Sequence, residues 1–204
     1  MEPIRVLHEN VIMDPGGIEA LLMNVYRHID RDKVQFDFMV HRPDHAFYED
    51  EIESLGGKIY RTPKFSPIPG QYQSYMGSVE KILKEHPEYK VLHAHAELNL
   101  WPLMIAKKLG VPTRIAHSHN AKTSVNLKYF FFLYEKARIK KYCTDMFMCS
   151  TPAGTFPAKK MLHIHPSPSY AFRKIPVTFV QKDTPFSKSR KGISLPLSRS
   201  TTLK

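Results

Sequence analysis

Cysteine, tryptophan and long apolar runs are all scarce in this chain of 204 residues. Its two cysteines, Cys143 and Cys149, are too few for a disulfide-rich extracellular domain and fit a reducing compartment. We interpret them as buried bystanders rather than nucleophiles. The aromatic run at 129–134 is far shorter than the ~20 apolar residues that a membrane span needs. No basic stretch followed by an apolar segment opens the chain, so no secretory signal is predicted and a cytoplasmic protein is favoured.

Acidic residues are almost absent from the last quarter of the chain. Residues 151–204 contain one acid, Asp183, against ten Lys and Arg, whereas residues 1–150 are nearly neutral. The same segment holds seven of the 16 prolines and has no sustained apolar period. This composition predicts an irregular or disordered basic tail over 154–204 rather than a native domain. Nucleic-acid binding through the tail is a minor alternative, because the remaining residues carry little net charge.

Short β-rich runs alternate with helical patterns through the first 150 residues. The pattern predicts strands at 4–8, 34–40, 58–61, 89–93, 113–117 and 146–149, and helices at 18–29, 48–55, 72–85, 98–109 and 125–142. Strands that alternate with helices form parallel β-α-β units with right-handed crossovers. The predicted fold class is therefore α/β, a Rossmann-like parallel sheet flanked by helices, in one domain over residues 1–153.

Two adjacent glycines, Gly16 and Gly17, follow the first predicted strand and open the first predicted helix. Without side chains they let a ligand approach the backbone, and the free amides and dipole at a helix start attract phosphate. Glu19 lies in the first turn, where that dipole stabilises an acid. The spaced third glycine of the dinucleotide fingerprint is missing, so a plain strand-to-helix turn is the alternative.

Two His-x-His units, His93/His95 and His117/His119, lie at the carboxyl ends of predicted strands, where α/β sheets bind ligands. Alternation puts both members of each pair on one face, and an imidazole there can orient or polarise a sugar hydroxyl or a phosphate. His93 and His117 lie inside apolar runs and are interpreted as core residues. His95 and His119, nearer the loops, are the functional candidates. Zinc binding is a less favoured alternative, because no Cys or carboxylate completes a ligand set.

The segment 128–142 combines a run of aromatic residues with five Lys and Arg. A helix of this composition can lie on an anionic membrane surface. The favoured interpretation is a helix with solvated lysines and a core-facing stripe of Phe131, Leu133, Tyr134 and Ala137.

In their order and spacing, these motifs resemble the N-terminal domain of family 4 glycosyltransferases, particularly bacterial enzymes of capsule and exopolysaccharide assembly. The resemblance rests on the turn at 16–19, the two His-x-His strand ends and the segment 144–150, and it covers residues 3 to about 153. It implies one half of a GT-B fold and retaining transfer from a nucleotide-sugar, often a UDP-sugar, to a lipid-linked or saccharide acceptor. No bound metal and no other cofactor is implied in catalysis.

The resemblance also implies residue roles. Gly16 and Gly17 would approach the donor phosphates, and His119 would be the catalytic histidine near the transferred sugar, with His117 as the alternative. His95 and Asn120 would bind the acceptor. The expected partners are the nucleotide-sugar, the acceptor and the inner surface of the cytoplasmic membrane, to which a cytoplasmic protein would bind peripherally; nucleic acid is not an expected partner.

The donor-binding half that the family places after Ser150 is absent from this sequence. That half would supply a basic pair and an E-x₇-E motif, whereas Asp183 is the only acid beyond residue 150. We therefore expect a truncated or frameshifted chain that carries out little or no transfer by itself. The alternative is a non-enzymatic module that binds an acceptor, or a partner that supplies a separate donor domain.

Overall fold

The computed structural model describes residues 2–66, 68–95, 100–119 and 127–148. Its strands are β1 (Ile4–Asn10), β2 (Val34–Val40), β3 (Ile59–Arg61), β4 (Val91–Ala94), β5 (Thr113–Ser118) and β6 (Asp145–Met148). Its helices are α1 (Gly17–His28), α2 (Glu49–Ser54), α3 (Pro69–Glu85), α4 (Leu100–Lys108) and α5 (Leu127–Arg138), followed by a 3₁₀ turn (Ile139–Lys141). The predicted tail over 154–204, Asn120 and Cys149 lie outside the described residues. None of the described helices is both long and apolar enough to cross a membrane.

All six of these strands join one parallel sheet in the order β3-β2-β1-β4-β5-β6. Every residue of β2 is buried, which is the pattern of a strand covered on both faces. The predicted fold class, a Rossmann-like parallel sheet flanked by helices, is confirmed. The direction in which successive strands are added to the sheet reverses between β1 and β4. The connections that follow these two adjacent strands therefore run toward opposite edges of the sheet.

The element boundaries differ from the prediction mainly where polar residues are buried. β1 continues beyond His8 through Glu9 and Asn10, which pair with Met39 and Val40. Both polar side chains are almost fully buried, a burial that their polarity alone does not predict. α3 begins three residues earlier than predicted, at Pro69, because proline is well suited to the first turn of a helix.

Two apolar cores lie on opposite faces of the sheet. The connections β1-α1-β2 and β2-α2-β3 run toward one edge, whereas β4-α4-β5 runs toward the other. Because such crossovers are right-handed, α1 and α2 cover one face and α3 and α4 the other. We call these the α1 face and the α3 face. Leu22, Met23 and Tyr26 pack on the α1 face; Tyr75 and Leu103 pack on the α3 face.

A buried carboxylate anchors the amino-terminal edge of the sheet. Asp37 of β2 is fully buried and accepts a hydrogen bond of 2.6 Å from Arg5 Nε. It also accepts hydrogen bonds of 2.7 Å from the Tyr89 hydroxyl and from the Lys58 backbone N–H. Arg5 lies near the start of β1 and Asp37 in the middle of β2, whereas Lys58 and Tyr89 lie just before β3 and β4. The carboxylate therefore joins β1, β2, β3 and β4 at the edge opposite the predicted ligand site.

We expect Asp37→Asn to lower the free energy of unfolding by about 3 kcal/mol, because the amide leaves the partly buried Arg5 guanidinium without its counter-charge. Urea denaturation measures this change. The matched control is Asp30→Asn, which removes the exposed ion pair with Lys33 and should cost about 1 kcal/mol or less. Equal losses for the two variants would contradict the anchoring role of Asp37.

Candidate functional site

The reversal of strand order places a crevice at the carboxyl ends of β1 and β4. In open α/β sheets this position binds ligands, because the connections on its two sides diverge. A side-chain contact crosses it directly: His8 Nδ1 of β1 lies 3.0 Å from Nε2 of His95, the residue that follows β4. The candidate site is therefore built around histidines at this edge of the sheet.

Five imidazoles meet on the α1 face, and we call them the imidazole cluster: His8, His93, His95, His117 and His119. His95 Nδ1 lies 3.0 Å from His119 Nε2, and His93 Nε2 lies 3.2 Å from His117 Nδ1. Ring centroids within each His-x-His unit are 4.0 Å apart. The prediction that each pair shares one face is confirmed, and the parallel register brings the two pairs together.

Burial holds the cluster in its neutral form. Loss of hydration lowers the pKa of His8 and of His117 to about 3 and that of His119 to about 4. It lowers the pKa of His93 and His95 still more clearly, with added repulsion from the neighbouring imidazoles. At neutral pH these side chains therefore act as hydrogen-bonding groups or metal ligands and not as cations.

The sequence interpretation divided core histidines from functional ones, but the structure joins them. His95 was expected near a loop and is only 3% exposed, whereas His117, expected in the core, is half-buried. His119 is half-buried as expected. Because contacts link all four into one cluster, position within a strand does not separate structural from functional members.

His8 and Asn10 are parts of the edge that the sequence analysis missed. Both lie on the α1 face, since they follow Val6 at intervals of two residues along β1 and Val6 packs on that face. The sequence signal that could have identified them is this period of two residues, which continues two residues beyond the end of the predicted strand. Asn10 Nδ2 donates to Glu19 Oε1 at 3.2 Å, so it links the end of β1 to the first turn of α1.

The glycine turn lies at the same edge, between β1 and α1. Gly16 is the N-cap of α1, and among the described residues no side chain caps that helix start. A side chain at Gly17 would meet nothing within 4 Å, whereas a Cβ at Gly16 would lie 2.3 Å from Glu19 Oε2. The Glu19 carboxylate thus lies against Gly16. The space beside Gly17 is open, so a ligand can approach the backbone there.

A second polar group, also missed, lies at the carboxyl edge on the other face. Glu9 of β1 pairs with His41, whose Nδ1 lies 2.7 Å from Thr62 Oγ1. Glu135 of α5 accepts a hydrogen bond of 3.1 Å from the Leu100 backbone N–H, and burial raises the pKa of this carboxyl to about 8. The Glu135 carboxyl is therefore largely protonated at neutral pH and fixes the start of α4.

The predicted orientation of α5 is wrong for the described part of its apolar stripe. Leu133, Tyr134 and Ala137 are exposed, whereas Glu135 is buried. Phe131 lies outside the described side chains. The Glu135 carboxyl faces inward and accepts the hydrogen bond from the Leu100 amide of α4, whereas Leu133 and Tyr134 lie on the surface with the exposed Phe130.

Two sets of three imidazoles offer nitrogen atoms within 4.8 Å of one another: His8/His93/His95 and His95/His117/His119. Neither set includes a carboxylate or a thiol. The expectations that no metal and no other cofactor takes part in the reaction stay predictions.

Comparison with known proteins gives consistent matches. A model of the family described as Glycosyltransferase Family 4 matches residues 15–176. EpsF of Bacillus subtilis (strain 168), a protein named as a glycosyltransferase, is 37% identical to this chain over 159 residues. The match covers 74% of this chain and 40% of EpsF, so the chain spans less than half the length of this curated relative.

Solved structures share the fold. HepE of Anabaena, in complex with UDP and glucose, superposes with a TM-score of 0.58 at 14% identity over 85% of this chain and 50% of its own. MurG of Acinetobacter baumannii superposes with a TM-score of 0.54 at 13% identity over 80% and 45% of the two chains. At these identities the likeness concerns the fold alone, and the sheet matches one half of GT-B glycosyltransferases.

The depressed pKa of His119 predicts that its contribution to stability depends on pH. Between the ordinary pKa of 6.5 and about 4, the unfolded state binds a proton that the folded state does not, so stability falls as the pH decreases through that range. The limit is about 1.4 kcal/mol for each pH unit. His119→Gln should lose less stability than the unaltered chain over this range, as measured by urea denaturation. Identical pH profiles would contradict the neutral state of the folded imidazole.

Proposed function

This chain belongs to glycosyltransferase family 4, and from that premise we propose that it forms the N-terminal, acceptor-side half of a retaining glycosyltransferase. The enzyme would transfer a sugar from a nucleotide-sugar, such as a UDP-sugar, to a lipid-linked or saccharide acceptor in polysaccharide biosynthesis. The domain would extend to about residue 153.

One observation carries this proposal: the open glycine turn and the imidazole cluster converge where the strand order reverses. Gly17 follows β1, His95 follows β4, and His119 follows β5. Parallel strands end at the same edge, and the bond between His8 and His95 spans the reversal itself. A ligand in this crevice can therefore contact the α1 amides and the imidazoles together.

Gly16 and Gly17 would receive the donor diphosphate. The α1 start has backbone N–H groups that no side chain caps, and the helix dipole favours an anion there. The neutral imidazoles cannot balance the negative charge of a diphosphate. We therefore assign that balance to the α1 amides and to basic groups of a donor-binding half, with the Glu19 carboxylate moving aside as the diphosphate arrives.

His119 would contact the transferred sugar. It is half-buried and has a neutral imidazole, which can donate one hydrogen bond and accept another. His95 Nδ1 lies against His119 Nε2, and His8 in turn holds His95. Because His95 is almost fully buried, we propose that it positions His119 in addition to lining the acceptor side. The acceptor role of Asn120 stays a prediction for a residue outside the described ranges.

Without the second half, the site would lack the groups that position the donor and stabilise the leaving diphosphate. Both effects are large terms in transferase rates. We propose that the 204-residue chain is inactive alone and requires a donor-binding domain. If it instead binds an acceptor or a partner and no added donor domain yields turnover, the non-enzymatic module becomes the better description.

A chimera tests the proposal. Residues 1–153 are joined to the part of EpsF that follows the matched region, and turnover of a panel of UDP-sugars is followed by UDP release. We expect turnover from the chimera and none from the 204-residue chain. His119→Ala should lower kcat by about 100-fold with little change in KM, because its contact would strengthen in the transition state.

Two variants serve as controls for the chimera. His119→Asn keeps one hydrogen-bonding group and should retain more activity than His119→Ala. His45→Gln alters an exposed histidine paired with Asp50 and should leave kcat unchanged. Full activity of His119→Ala would remove His119 from the catalytic site, and a silent chimera that binds acceptor would favour the binding module.

We also propose that α5 binds an anionic membrane surface. Phe130, Leu133 and Tyr134 are exposed at helical spacing, and basic residues accompany them at the end of the helix. Arg138 lies 4.6 Å from the centroid of the Tyr134 ring, so a cation and an aromatic face occur side by side. Apolar side chains beside cations are the combination that inserts at a charged interface.

Vesicle sedimentation tests this surface. The chain should bind vesicles rich in anionic phospholipid more tightly than neutral ones, and Phe130→Ser combined with Leu133→Ser should weaken that binding about tenfold, because apolar area leaves the interface. The control is Phe47→Ser, which removes an equally exposed aromatic ring outside α5. If the control weakens binding as much as the α5 variant, α5 is not the contact.

A further inference from the structure

We propose that His95, His117 and His119 form a binding site for one divalent transition-metal ion of borderline softness, such as Zn²⁺. One nitrogen atom of each ring lies within 4.8 Å of the others. His95 Nδ1 and His119 Nε2 are already 3.0 Å apart, and the His117 and His119 rings have centroids 4.0 Å apart. Three nitrogen donors are therefore grouped at the carboxyl ends of β4 and β5.

The spacing suits a metal ion of this size. Zinc–imidazole bonds are about 2.0–2.1 Å long, so two nitrogens in a tetrahedral site lie roughly 3.4 Å apart. The His95–His119 separation needs to open by only a few tenths of an ångström to admit the ion. Three imidazoles leave the fourth tetrahedral position for water or another small ligand.

The donor set selects the class of cation. Imidazole nitrogen is preferred by Zn²⁺, Co²⁺, Ni²⁺ and Cu²⁺, whereas Mg²⁺ and Ca²⁺ require oxygen ligands. The triad consists of imidazoles alone. Burial also keeps these imidazoles neutral, so each ring carries a nitrogen lone pair rather than a second proton at neutral pH.

His8 and His93 would hydrogen-bond to the metal-binding histidines. If His95 binds the ion through Nδ1, its Nε2–H points to His8 Nδ1, 3.0 Å away. If His117 binds through Nε2, its Nδ1–H points to His93 Nε2 at 3.2 Å. Metal-ligating histidines usually donate their second N–H in this way, which fixes the tautomer and the ring orientation.

The alternative triad, His8, His93 and His95, is a poorer site. All three side chains are at least nine-tenths buried, and the His8 ring packs against Phe36 and Phe38. Moving a doubly charged ion into those surroundings without a counter-charge is costly. His117 and His119 are only half-buried, so an ion can reach the outer triad and keep part of its hydration.

Cobalt titration tests this inference on the 204-residue chain, prepared without a polyhistidine tag and freed of metal by a chelator. Co²⁺ should produce the visible absorption bands of a tetrahedral site with one ion bound for each chain. Zn²⁺ should displace it and raise the melting temperature by mass action, and Mg²⁺ should do neither. Absence of tetrahedral bands, or their appearance only with several ions for each chain, overturns the proposal.

Variants locate the ion. His117→Gln and His119→Gln should each lower the Co²⁺ affinity by at least about tenfold, and circular dichroism verifies that both variants fold. The controls are His45→Gln on the surface and the double variant His163→Gln/His165→Gln, which removes the other His-x-His unit of the sequence. Both controls should bind Co²⁺ like the unaltered chain. Loss of binding in the double variant, or full binding in His117→Gln and His119→Gln, overturns the proposal.

This measurement requires no donor, acceptor or turnover. Its result can therefore be read separately from that of the chimera, although both proposals use His95 and His119. If the chain binds Co²⁺ at His117 and His119 but the chimera is inactive, the metal-site proposal stands and the enzymatic proposal fails. If the chimera is active but the chain does not bind Co²⁺, the enzymatic proposal stands and the metal-site proposal fails.

Discussion

The order of the strands reverses between β1 and β4, and the positions of the helices and of the candidate site follow from this reversal. Right-handed crossovers place α1 and α2 on one face of the sheet and α3 and α4 on the other. The connections that leave β1 and β4 must therefore diverge, and they leave a crevice between them at the carboxyl edge. The glycine turn and the histidines after β4 and β5 reach that crevice because parallel strands all end there.

The two edges of the sheet use polar groups differently. At the amino edge, Asp37 is charged and surrounded by donors, so it serves as a fixed anchor between strands. At the carboxyl edge, the imidazoles are largely desolvated and contact one another in pairs without any charge. A neutral, mutually bonded cluster can exchange its partners for a ligand more readily than a buried ion pair can, since no charge is left uncompensated.

The same neutrality limits the chemistry of the imidazole cluster. Neutral histidines can orient a sugar or coordinate a metal ion, but they do not offset the charge of a diphosphate. Under the proposed function, the α1 amides would contribute part of that compensation and a donor-binding domain would contribute the rest.

Local sequence patterns predict the fold class, the alternation of strands and helices, the glycine turn and the pairing of histidines within each His-x-His unit. These features follow from periods of two and 3.6 residues, which neighbouring positions carry. Long-range packing accounts for the inclusion of His8 in the cluster, for the burial of His95 and for the inward orientation of Glu135 instead of Tyr134. Those outcomes depend on which strands lie side by side and on how a helix rotates to satisfy a distant backbone amide. Contacts between residues far apart in sequence settle both, and no local pattern encodes them.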